Sequence, residues 1–192
     1  MRKIAVEQSS LLLEKVRFSI AMMEGAKNLS ELESAWSDFL IASQRIHSKL
    51  EQGAKGNKKS YAWWGLKLHQ RRTDPILRYT HHARNVDEHG LAQITERTPP
   101  TVAIGVGPGT WRLDGVIGGP LKVTALGGQV PEISKFVEFG PAKVNLVRVV
   151  DKGDPYDPPL DEHSNPLSPI EVAKIVFKHL LTIIEQASQL PE

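Results

Sequence analysis

Cysteine is missing from all 192 residues. Disulfides, thiolate nucleophiles and cysteine-ligated metals are therefore excluded. Long apolar runs are missing too. The opening MRKIAVEQSSLLLEKVRFSI starts basic, but Glu7, Glu14, Lys15 and Arg17 interrupt its apolar residues. This fits neither a signal peptide nor a membrane span, and the expectation is a cytoplasmic protein with no membrane attachment. Net charge is close to absent, at +2, but it is unevenly spread. Lys55 to Arg84 holds eight positive residues against Asp74 alone, and Asp151 to Glu162 holds five acids against one lysine. A local basic patch can draw in a polyanion even when the total charge is small, although a bare charge run is more often a solvated face.

What is present is ordinary for a soluble globular chain: 40% apolar and 24% charged residues. The length suits one domain with a real core and room for an insertion. Leu12, Val16, Ile20 and Met23 recur at helical spacing and predict a first helix over 9–27. Ser30 and Glu33 have capping-box spacing, and the stripe from Leu32 through Trp36, Phe39 and Ile46 to Leu50 predicts a second helix to about Gln52. GAKGNKK is a basic loop, and YAWWGLKLHQRR predicts a short helix. Asp74 as N-cap and Pro75 at the first turn start the third main helix, which runs to about His89 with Gly90 as its C-cap.

After Pro99-Pro100 the character changes. Most of the fifteen glycines fall between 101 and 150, among β-branched stretches such as TVAIGVG, TWRLDGVIG, LKVTALG, FVEFG and AKVNLVRVV. They predict a small antiparallel meander. DKGDPYDPPLDEHSNPL reads as an acidic, proline-rich connection over 151–167. Ser168, Pro169 and Glu171 cap a last, strongly apolar helix that must pack on something substantial. The expected fold class is α+β: a single domain over 1–192, with a four-helix bundle from 8–90 and 168–188. A small antiparallel β insertion over 101–150 separates its third and fourth helices.

Chemistry concentrates in RYTHHARNVDEHG, residues 78–90. On a helix Arg78, His82, Asn85 and His89 share one stripe, and Leu77, His81, Arg84 and Glu88 form the next. Ile76, Tyr79, Ala83 and Val86 point to the core. Arg84-Asn85-Val86-Asp87-Glu88-His89 resembles the Arg-polar-x-x-x-His motif of HEPN domains. These are helical bundles found in prokaryotic toxins, antiviral systems and some eukaryotic ribonucleases. The resemblance covers the helical parts, and the β insertion departs from it. It implies a homodimeric, metal-independent endoribonuclease of a toxin or defence system, with RNA as substrate and a protein such as an antitoxin as a possible partner. His89 would be the acid/base, Arg84 would hold the phosphate and Asn85 would orient one of them. Beside that motif, the helix stripes and the basic run offer His81, His82, Arg78, Arg71 and Arg72 to bind substrate. No cofactor is implied, because RNA carries its own nucleophile, the 2′-hydroxyl.

A plainer reading stands beside it. His89 can sit on the helix C-terminal dipole, and Arg84 can pair with Glu88 one turn on. The protein would then be a non-catalytic bundle that binds a partner, with an exposed apolar patch on 101–150. A metal is not expected from the histidines, since His82 and His89 lie two turns apart. The acids of 151–162 with His163 suit a hard cation in principle, but the prolines among them favour a solvated linker. Ile104 to Gly109 looks like a phosphate loop but lacks its lysine, so a hairpin turn fits better. Trp63 and Trp64 read as core and core-edge residues rather than base-stacking ones.

Overall fold

The structure, a computed structural model, describes residues 1–104, 110–114, 122–127 and 137–192. Among these the fold is mostly helical with two-stranded antiparallel sheets, the α+β class. Helices are α1 Lys3–Glu24, α2 Leu29–Ala54, α3 Lys58–Thr73, α4 Pro75–His89 and α5 Pro169–Ser188. The chain divides into two compact units. One is Met1–Glu96 with Val144–Glu192, and the other is Arg97–Lys143.

Two expectations are corrected here. The bundle has five helices among the described residues, not four, because the tryptophan segment is a full 16-residue helix. Asn57 caps it by accepting from Ser60 N at 3.0 Å. Its weak amphipathic pattern, with only Ser60 and Trp64 buried, hid its length. The strands therefore follow the fourth helix and precede the fifth, instead of separating the third from the fourth. The second correction concerns pairing. A meander pairs each strand with the next, but here β1 Thr95–Thr98 pairs β6 Lys143–Leu146, β2 Thr101–Ile104 pairs β5 Val137–Gly140, and β3 Thr110–Asp114 pairs β4 Lys122–Gly127. These pairs are nested, so the chain runs out and returns along itself. The turn at Gly105–Gly109 lies outside the described residues, as do the side chains of 101–139, where most of the foreseen apolar surface would fall; of the rest, Val144, Leu146 and Val149 are buried and Val150 is exposed.

Local chemistry explains each helix start. Asn28, not Ser30, caps α2: it accepts from Glu31 N at 2.9 Å and donates to Glu31 Oε1 at 2.8 Å. Glu31 Oε2 also accepts from Lys27 N at 2.8 Å, so both carboxylate oxygens are used. The expected Ser30–Glu33 box is therefore not formed: the cap lies two residues earlier, and Glu31 reaches back to Lys27 N rather than to the backbone N–H of the cap itself. Asp74 Oδ1 accepts from Ile76 N at 2.9 Å and Leu77 N at 3.0 Å, with Pro75 following as expected. Asp74→Ala is expected to cost about 1 kcal/mol of stability, measurable by urea unfolding. Ser168 and Glu171 form the foreseen reciprocal box at α5.

Gly90 ends α4 with φ −105° and ψ 170°, so no left-handed conformation is involved. Glycine is needed there because a Cβ would meet Val86 O at 2.6 Å. At Gly53 a Cβ would meet Ala5 Cβ at 2.4 Å, so the end of α2 can approach the start of α1 only as glycine.

The first unit has one core. α1 contributes Leu13, Val16, Ile20 and Met23, α2 contributes Trp36, Phe39, Ile46 and Leu50, and α5 contributes Val172, Val176, Leu180 and Ile183. Trp36 and Phe39 stack with centroids 5.3 Å apart, and neither is exposed. α4 packs its Leu77, Tyr79, Thr80, Ala83 and Val86 side inward. Buried Tyr79 donates its hydroxyl to Val147 O at 2.8 Å, which fastens α4 to the chain between β6 and β7. β7 Val149–Asp151 and β8 Asp154–Tyr156 then form a short hairpin beside α4. The first part of the 151–167 stretch, as far as Tyr156, is thus paired strand rather than free connection, while most of its residues are exposed.

Candidate functional site

α4 buries one side and leaves the opposite stripes to face α3 and the β7–β8 hairpin. A cleft of about 320 Å³ forms there. It is lined by Leu68, Arg71 and Arg72 from α3, Arg78, His81 and His82 from α4, and Tyr156 from β8. The five residues read from the sequence as substrate-binding thus share one hollow. No carboxylate lines it among the described residues.

His82 is the most constrained of them. Its Nδ1 lies 2.8 Å from Asp151 Oδ2, and its ring stacks on Tyr156 with centroids 3.6 Å apart and planes 8° from parallel. Because a carboxylate oxygen accepts, Nδ1 carries the proton and Nε2 is the remaining nitrogen. Asn85 Nδ2 donates to the same Asp151 oxygen at 2.8 Å. The hydrogen bond from Asn85, then that from His82, holds the Asp151 carboxyl below its usual range. Asn85 is thus a positioning residue one bond removed from the cleft.

His81 and Arg71 are tied beneath the surface. Gln44 Oε1 accepts from Arg71 Nη1 at 3.3 Å and from His81 Nδ1 at 3.4 Å. Burial, followed by the nearby Arg71 charge, lowers His81 to about 4. His81 is therefore held in the neutral form at pH 7, donating from Nδ1 to Gln44 and leaving Nε2 as an acceptor. Arg71 is also pulled below its usual value, chiefly by burial.

Arg84 and His89 lie elsewhere. Arg84 is ion-paired with Glu88 one turn on and donates through Nη1 to Asn85 Oδ1 at 3.4 Å, while its Nε is buried without a partner. The His89 side chain is 72% exposed, with Nε2 at 3.9 Å from Glu88 Oε2. Neither lines the cleft. Arg84 donates to Asn85 and both Arg84 and His89 approach Glu88, so the three residues foreseen as catalytic are neighbours, but none of them lines this cleft. Helical spacing places residues on a stripe but does not say which stripe faces a groove.

Asp151 and Tyr156 were missed because both sit in the acidic, proline-rich stretch. The one available signal was Tyr156 itself, a lone aromatic among prolines and acids. The hard-cation alternative for that stretch finds its central acid occupied: Asp161 Oδ1 accepts from His163 N and Asn165 N at 2.9 and 2.8 Å. Among the described residues no three histidine or acidic side chains gather as a metal would need. Trp64 is buried and Trp63 packs partly against the core, as read.

No family model, curated protein or solved structure matches the chain.

The histidines carry a pH prediction. His47, buried among the helices, His179 and His81 are all held below the ordinary imidazole range, in each case first by burial. In the unfolded chain they regain protons below about pH 6.5. The unfolded state then binds more protons than the folded one, so stability falls as pH drops from about 6.5 toward the folded values. His47, the most deeply buried of the three, contributes to this loss. Urea unfolding at pH 7 and pH 5 is expected to show the loss, and His47→Leu is expected to shallow it.

Proposed function

We propose that the protein is a metal-independent endoribonuclease that holds RNA phosphates in the Arg71–Arg72–Arg78 cleft. One convergence supports this reading: three guanidinium groups line the same hollow as an imidazole whose second nitrogen is held by a carboxylate. Guanidinium forks suit phosphate oxygens and the charge of a phosphorane. His82 Nε2 takes the proton from the ribose 2′-hydroxyl. The 2′-oxygen attacks phosphorus, the bond to the 5′-oxygen breaks, and His82 returns the proton to that leaving oxygen. The products are a 2′,3′-cyclic phosphate and a 5′-hydroxyl. The nucleophile belongs to the substrate, so the step needs no added ligand.

The HEPN resemblance assigns this chemistry to Arg84 and His89, with Asn85 as helper. We assign it to the cleft, since His82 is oriented by Asp151 whereas Arg84 is engaged by Glu88. A toxin or defence setting, an antitoxin-like partner, a homodimer joining two basic faces and a cytoplasmic location belong to the same proposal. No helix among the described residues is long and apolar enough to cross a membrane.

The test is labelled RNA in excess EDTA with wild type, His82→Ala and His89→Ala. Loss with His82→Ala alone supports the cleft. Loss with His89→Ala alone moves the site back to the Arg84–His89 motif. Cleavage by both variants overturns both assignments. A wild type that binds RNA without cutting it favours the second reading, a non-catalytic binding module, which the Arg84–Glu88 ion pair already fits.

A further inference from the structure

A second hollow, of about 380 Å³, adjoins the cationic cleft and has no part in the chemistry above. Arg78 and Tyr156 line both hollows, so the two are adjacent at those side chains. Their chemistry is different. The first presents three arginines and two histidines. The second is walled by Pro75, Pro155, Pro158, Pro159, Tyr156 and Tyr79, and Arg78 is its one cation among the described residues. A phosphate belongs in the first. A flat group with apolar faces and a polar edge fits the second, where Arg78 and Asp157 join the prolines and tyrosines.

Building on the ribonuclease reading, we infer that the substrate is single-stranded RNA and that one unpaired base enters the proline- and tyrosine-lined hollow beside its phosphate. Three observations support this. Tyr156 stands between His82 and the second hollow: it lines both, while His82 lines only the first. Its ring orientation is set by the stack on His82, at 3.6 Å and 8°. An aromatic ring held in this way is a ready platform for a base, and such stacking tolerates any base because each has a π-face. The four prolines have fixed φ and no backbone N–H, so the walls lose little freedom when a ligand arrives. Arg78 at the junction is placed for the phosphate joining that base to its neighbour. A duplex cannot use this arrangement, since its bases are paired and stacked inside the helix. The hollow offers little sequence discrimination: its one acid, Asp157, is engaged by Arg148 at 2.5 Å.

The test uses 2′-O-methyl oligoribonucleotides, which lack the attacking hydroxyl and so stay intact. Binding is read by fluorescence anisotropy for a single strand and for the same strand annealed to its complement. A 2-aminopurine within the single strand reports stacking by quenching. The expected results are at least about tenfold tighter binding of the single strand and quenching of the 2-aminopurine by wild type. Tyr156→Ala is expected to weaken single-strand binding by about tenfold, the usual effect of removing one stacking ring. Tyr156→Phe keeps the ring and is expected to bind like wild type. Equal affinity for duplex and single strand overturns the inference and leaves the ribonuclease reading standing. So does unchanged binding by Tyr156→Ala. If Tyr156→Ala fails to fold by circular dichroism, the wild-type quenching decides, and its absence overturns the inference. A wild type that binds neither form overturns both this inference and the function it builds on.

Discussion

Alanine at His82 is expected to reduce RNA cleavage by about 100- to 10,000-fold, the range for losing a positioned proton-transfer group. RNA binding should change far less, because the arginines remain. The expectation rests on the imidazole's surroundings. Asp151 Oδ2 fixes Nδ1–H at 2.8 Å, Tyr156 fixes the ring plane, and the remaining nitrogen is the one left for substrate. Asp151→Asn offers an amide where the carboxylate accepted, which removes the charge that favours the imidazolium formed in the reaction. Its loss of activity is expected to fall in kcat with KM little changed. Arg78→Ala is expected to raise KM and weaken binding, with a shallower salt dependence than wild type. Full activity in His82→Ala sinks the cleft assignment whatever the behaviour of the other variants.

Phe39→Ala is expected to cost about 3–5 kcal/mol of folding stability. Phe39 has no exposed surface and stacks on Trp36, itself unexposed, at the centre of the helical unit. Truncation removes the ring's burial and leaves a cavity walled by other large side chains, so collapse is limited. Domains are typically stable by about 5–15 kcal/mol, so the loss is a large share of the total. Urea unfolding followed by far-ultraviolet circular dichroism measures it as a lower midpoint at unchanged slope. A cost below about 1 kcal/mol shows that the core closes around the missing ring and that the Trp36–Phe39 stack is not central.

Much of this protein could be read from its residues one turn or one strand at a time. Asp74-Pro75 and the Ser168–Glu171 box start helices where they should, because capping needs only three or four neighbouring residues. The stretches foreseen as strands from Thr101 onward each contain one, and AKVNLVRVV divides into β6 and β7. The five cationic and imidazole residues that share the cleft were selected from spacing and charge alone. What spacing could not supply was the partner of each stripe. Nested pairing rather than a meander depends on which strands meet across tens of residues, and turn residues do not encode that. His82 acquires its orientation from Asp151 and Tyr156, which lie 69 and 74 residues later in a stretch that reads as linker. Arg84 is drawn instead to Glu88, one turn away on the same helix. Local hydrogen-bonding rules determined where helices begin. Only the packing of α3, α4 and the β7–β8 hairpin decided which polar face became a site, because a cleft is a property of surfaces brought together from distant parts of the chain.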